Sequence, residues 1–182
     1  MKNIHISFMV LALSIASTSV QAADGTITIN GRITTNTCTI TNSINNSNNF
    51  TVELPVLPIS TFTNAVVTAG DTPFSISLTH CPFGTVGVHF SDTLAANKST
   101  NGHLTNIAPA GDFAEDIEIQ ILKNGTEIDL NTSNAGYEAV TINEANVVTG
   151  TTFTYSARYF ASSDDITPGK VEAALVYTVK YN

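Results

Sequence analysis

Val171-Glu172-Ala173-Ala174-Leu175-Val176-Tyr177-Thr178-Val179-Lys180-Tyr181-Asn182 is the stretch on which the fold turns. In an extended chain Val171, Ala173, Leu175, Tyr177, Val179 and Tyr181 share one face, and Glu172, Ala174, Val176, Thr178 and Lys180 share the other. Both faces carry apolar residues, and such a strand expects burial on both sides. It reads as the longest strand of the chain, and the sequence supplies nothing after Asn182 to lie along its open edge. The expectation is a strand whose neighbour comes from elsewhere.

Upstream of it, Thr151 to Ala161 reads as strand, followed by a loop through Ser162 to Lys170 with Thr167-Pro168-Gly169. Ile117, Ile119 and Ile121 alternate along another strand. Lys123-Asn124-Gly125-Thr126 then supplies the Asn-Gly pair of a tight hairpin, with Glu127 to Leu130 as its return. Val86, Val88 and Phe90 line one side of Thr85 to Phe90, and Phe74, Ile76 and Leu78 alternate in the run that ends at Cys81. Phe50 to Leu54 reads as a short strand stopped by Pro55 and Pro58, after a Ser/Asn loop over residues 42–49. No stretch of the mature chain sustains a 3.6-residue period. The class is all-β, a sandwich of short strands rich in Thr, Val and Ile.

The first 22 residues read as a secretory signal peptide, with Lys2 as its positive start, an apolar run from Ile4 to Val20, and a small-residue cleavage site at Val20-Gln21-Ala22. Its removal leaves 160 residues, enough for one domain with a full core. Six basic residues then stand against fifteen acidic ones, a net charge near −9, which argues against nucleic acid or an anionic membrane as partner. Export also fixes the expectation for the two cysteines, Cys38 and Cys81, as a disulfide.

Ala23 to Ile33 follows the signal, and its odd positions Ile27, Ile29, Gly31 and Ile33 fall opposite Thr26, Thr28, Asn30 and Arg32. It reads either as the first strand of its own sandwich or as a strand meant for another molecule. Gly31 interrupts the apolar series, as a bulge or twist point of an ordinary strand.

No catalytic, cofactor or metal constellation is expected. His80, His89 and His103 sit in no nucleophile or zinc motif. The acidic group Asp112, Glu115, Asp116 and Glu118 reads as a solvated loop or strand face.

Taken in order, Thr26-Ile27-Thr28-Ile29-Asn30-Gly31, Cys38, Phe74-x-Ile76-x-Leu78-x-x-Cys81, Ala157-Arg158-Tyr159-Phe160-Ala161, Thr167-Pro168-Gly169 and the closing Tyr177-Thr178-Val179-Lys180-Tyr181-Asn182 resemble the type 1 fimbrial subunits of the chaperone-usher pathway. The resemblance implies an incomplete immunoglobulin-like β-sandwich lacking its final strand, completed in trans by a donor strand. It divides the chain into a signal peptide (1–22), an N-terminal donor-strand extension (23–33) and a pilin domain (34–182). It makes Gly25, Ile27, Ile29, Gly31 and Ile33 the donor residues. It makes Val171, Ala173, Leu175, Tyr177, Val179, Tyr181 and Asn182 the groove and chaperone-binding strand.

The implied function is a structural subunit of an adhesive fimbria, either a minor tip or linker subunit or the major rod subunit, polymerising by donor-strand exchange. Its implied partners are a periplasmic chaperone, an outer-membrane usher and neighbouring subunits, with no nucleic acid and no small-molecule substrate. The implied destination is the cell-surface fimbrium, reached through the periplasm. The alternative is a fimbrial tip adhesin that binds host carbohydrate.

Overall fold

The computed structural model describes residues 37–90 and 97–182. The expected signal peptide (1–22) and donor extension (23–33) lie outside the described residues.

Among the described residues nine strands follow in chain order: β1 (Thr39–Asn42), β2 (Thr68–Thr79), β3 (Gly84–Phe90), β4 (Leu104–Thr105), β5 (Ile117–Lys123), β6 (Thr126–Glu127), β7 (Glu138–Ile142), β8 (Thr151–Ala161) and β9 (Tyr177–Tyr181). One sheet runs β1-β2-β8-β5-β4, with β6 added to β5, and the other runs β7-β3-β9. Every strand pairing is antiparallel.

The alternation seen in the sequence builds the core directly. Phe74, Ile76 and Leu78 from β2, Phe153 and Tyr155 from β8, and Ile119 and Ile121 from β5 turn inward to meet Val86, Val88 and Phe90 of β3. Leu78 and Val88 are fully enclosed. Burying an aliphatic side chain of this size contributes about 1.5–3 kcal/mol, so this shared interior supplies the main cohesion between the sheets. Tyr155 packs on Phe90 with ring centroids 4.9 Å apart and on Phe74 at 5.7 Å.

Local chemistry shapes the connections. Asn124 and Gly125 both take positive φ, 50° and 76°, as a two-residue hairpin with the right-handed strand twist requires. The return strand is short: pairing ends at Glu127, and the Ile128 N–H bonds to the Ile121 carbonyl at 2.8 Å as Ile128 and Leu130 turn into the core. Cys38, just before β1, and Cys81, in the β2–β3 connection, form a disulfide across 43 residues of sequence. The chain-entropy account gives such a loop about 4 kcal/mol.

Two expected strands come out differently. The run from Val171 to Tyr181 is paired only over β9, so the longest strand is the twelve-residue β2. The described pairing of β3 with β9 reaches Phe90 opposite Tyr177, and residues 171–176 have no ladder partner among the described residues. Phe50 to Leu54 likewise joins no sheet there.

Candidate functional site: an apolar groove between two unpaired segments

Those two segments face each other across a groove. A cavity of about 690 Å³ lies between residues 48–54 on one side and 170–177 on the other. Its floor is the inner face of the larger sheet, with Phe74 and Ile76 from β2, Ile119 and Ile121 from β5, and Ala157 and Tyr159 from β8.

Alternation decides which side chains enter. Phe50, Val52 and Leu54 from one wall and Val171, Leu175 and Tyr177 from the other pack against the core, each half-buried. Phe50 stacks on Phe74 with centroids 5.9 Å apart. Ala173 is exposed and leaves a gap in that wall. A smaller cavity of about 250 Å³ continues the groove past Tyr177, between Ile40 of β1 and Val179 of β9.

Two tyrosine hydroxyls tie the walls in place. The Tyr177 hydroxyl donates to the Asn48 carbonyl at 2.7 Å, bridging one wall to the other. The Tyr159 hydroxyl donates to the Pro55 carbonyl at 3.3 Å. Burial raises the pKa of both phenols, and the neighbouring Glu53 carboxylate adds to the rise at Tyr159, so both remain donors at neutral pH.

The backbone of the 171–181 wall has a definite polarity. Glu172 donates its N–H to the Asn106 side-chain oxygen at 3.0 Å and accepts at its carbonyl from Ile107 N–H at 2.8 Å. Asn182 exchanges both of its backbone groups with Thr85, each at 2.8 Å. Both residues are even-numbered, and backbone groups alternate sides along a strand. The odd positions Ala173, Leu175, Tyr177 and Val179 are therefore the ones whose N–H and C=O face the open edge.

At the far end, Tyr181 Oη accepts the Cys38 N–H at 3.0 Å, which joins the end of β9 to the disulfide. Asn182 is exposed, and its side-chain amide donates to the Tyr137 hydroxyl at 3.2 Å. Of the residues singled out in the sequence, Val171, Leu175, Tyr177, Val179 and Tyr181 thus lie on one inward-facing row. Gly25, Ile27, Ile29, Gly31 and Ile33 lie outside the described residues.

Sequence reasoning missed the second wall. Its signal was present in the alternation of Phe50, Val52 and Leu54, which read as an ordinary short strand. It also missed a polar cluster outside the groove. His103 is buried, with Nδ1 2.7 Å from Glu118 and Nε2 2.7 Å from Glu127, while Gln120 donates to Glu127 at 2.9 Å and accepts from Arg158 Nε at 2.7 Å. Glu118, expected on a solvated face, is instead largely buried and engaged. This cluster pins the turn before β4 onto the outer face of β5 and β8.

The model of the fimbrial protein family matches residues 27–182. The chain belongs to the fimbrial protein family. Its similarity to the major fimbrial subunit SMF-1 of Stenotrophomonas maltophilia is 36% identity, covering 93% of this chain and 99% of that protein. With the F17 fimbrial protein of Escherichia coli it shares 34% identity over 97% of this chain and 98% of the relative. Among solved structures, an antigen and type I fimbria protein of Burkholderia pseudomallei superposes with a TM-score of 0.51 at 26% identity, over 74% of this chain and 84% of that one. This fimbrial subunit is a structural component of surface fimbriae that assembles with other subunits, and its sandwich is of the pilin type.

Proposed function

We propose that this subunit polymerises by strand addition, the groove between residues 48–54 and 170–177 taking the extension 23–33 of another subunit. The observation that carries the reading is the pair of segments with no ladder partner among the described residues that flank an apolar groove, with odd-numbered backbone groups of the 171–181 wall turned to its open edge. An edge of that kind invites another chain, and completing it removes the hazard of uncontrolled pairing. Gly25, Ile27, Ile29, Gly31 and Ile33 would present one row of side chains to the groove. Three isoleucines at about 1.5–3 kcal/mol each, with ladder bonds at about 1 kcal/mol each, make a long-lived junction.

Before assembly, a periplasmic chaperone lends a strand to the same groove and binds the end of β9 through Tyr181 and the Asn182 carboxylate. An outer-membrane usher is the site of exchange. The subunit has no enzymatic role in this scheme. The tip-adhesin alternative is disfavoured because the family match extends over residues 27–182 and the similar relatives are fimbrial subunits matched over nearly their whole length.

Deleting residues 23–33 tests the reading. The truncated subunit is expected to fold and to occupy its chaperone while forming no fibres, as judged by electron microscopy; normal fibres from it would overturn strand addition. Gly31→Val is expected to block donation in the same way while leaving the donor's own domain intact. Removing Tyr181 and Asn182 should abolish chaperone capture in a pull-down, and an undiminished complex would count against that role.

A further inference from the structure

The charges on the groove wall and on the extension match each other in number, sign and spacing. Between Val171 and Asn182 the only charged side chains are Glu172 and Lys180, eight residues apart. Between Ala23 and Ile33 the only charged side chains are Asp24 and Arg32, also eight residues apart. All four are even-numbered, so in two extended chains they belong to the face opposite the apolar row. We infer that the strand this groove takes is the extension of a second copy of this same chain, running antiparallel to residues 171–181 in the single register that sets Arg32 opposite Glu172 and Asp24 opposite Lys180. The inference rests on the strand-addition reading and names its partner and register.

Three further matches follow from that register without adjustment. Ile29 falls opposite Leu175 and Ile33 opposite Val171. Gly31 falls opposite Ala173, the exposed small residue that breaks the apolar row of the wall. The backbone agrees as well. Glu172 turns both of its backbone groups away from the open edge, and by alternation Lys180, opposite Gly87 on β3, does the same. The two ion pairs therefore occupy non-hydrogen-bonded positions, where side chains of facing antiparallel strands lie closest. The ladder bonds fall to the odd positions, whose N–H and C=O face the edge.

Two competing arrangements meet like charges, and a third loses both pairs. Reversing the strand sets Asp24 against Glu172 and Arg32 against Lys180, and like charges directly opposite each other are destabilising. An antiparallel slip by two residues toward the start of the wall sets Arg32 against Lys170, and a slip the other way leaves Arg32 opposite Ala174 and Asp24 opposite Asn182. The pattern thus selects one register by repulsion as well as attraction. Because arm and groove are different surfaces of one molecule, the contact is heterologous and propagates as an open filament whenever the rotation between copies does not close into a ring.

The test is a charge exchange in the full-length chain produced in fimbriated cells. Arg32→Glu alone and Glu172→Arg alone are each expected to cut polymer yield roughly fivefold to tenfold, with the deficit shrinking in high salt. The chain carrying both substitutions is expected to recover parental yield, since every junction between copies then holds a restored pair. A double variant as poor as either single one overturns the inference: the arm then meets a different subunit or a different register. A chain lacking residues 23–33 that still polymerises overturns strand addition itself, an outcome separable from the first because it involves no charge.

Discussion

The disulfide end of the sandwich and the groove end are built from the same kind of sequence, yet one is closed and the other open. At the disulfide end, β1 pairs with β2, β9 pairs with β3, Asn182 reaches Thr85, and Tyr181 bonds to Cys38. At the groove end, residues 50–54 and 171–176 join no ladder among the described residues and flank a groove over the inner face of β5 and β8. Alternating apolar residues specify that a face must be buried. They do not specify whether the covering strand lies in the same chain.

A charge placed at each end should separate the two behaviours most widely. Val88→Arg, in the closed interior, buries an unpaired charge at a cost of several kcal/mol and should leave no folded subunit to isolate. Leu175→Arg sits on the groove wall, where the side chain has solvent to turn to, and should yield a folded subunit whose polymerisation is reduced at least about a hundredfold, read by sedimentation. Equal folding defects in the two variants would dissolve the distinction.

The closed end should also respond to its covalent tie. Replacing Cys38 and Cys81 with Ser is expected to lower stability by about 4 kcal/mol in a urea titration of the isolated subunit. A loss below about 1 kcal/mol would mean that the β1–β2 pairing holds that end without help.

The smallest expected change is a gain. The Tyr155 hydroxyl is buried without a hydrogen-bond partner among the described residues, and burial, with Glu138 nearby, pushes its pKa up. Tyr155→Phe keeps the ring against Phe74 and Phe90 and removes the orphaned group. Stability should rise by about 1 kcal/mol, seen as a higher urea midpoint at unchanged slope.

What the sequence discloses follows from how local each signal is. Phe74-x-Ile76-x-Leu78 and the run from Thr151 to Ala161 carry their period within themselves, and both appear where that period puts them. Asn124-Gly125 is equally local. β7 went unread because Glu138–Ile142 has only Val140 and Ile142 to mark an apolar face, and its pairing with β3 supplies the rest. β9 is shorter than its alternation suggests: the apolar alternation continues back to Val171, while ladder pairing among the described residues covers only Tyr177–Tyr181. The His103 cluster is invisible in one dimension: its carboxylates lie 15 and 24 residues away, and only the pairing of β4, β5 and β6 assembles them. The groove was half legible, since the wall at 171–181 declared itself and the wall at 48–54 did not.

The most direct measurement supplies the covering strand within one chain. Residues 23–33 are moved from the front of the subunit to its end, joined after Asn182 by an added Asn-Gly pair that makes a three-residue turn with Asn182 and returns them antiparallel along residues 171–181 with Ala23 opposite Tyr181. The purified protein is then unfolded in urea beside the subunit that lacks them. The account predicts a markedly higher midpoint, slow exchange of the backbone amides at Ala173, Leu175 and Tyr177, and no polymer. An unchanged midpoint with those amides still exchanging freely would contradict it.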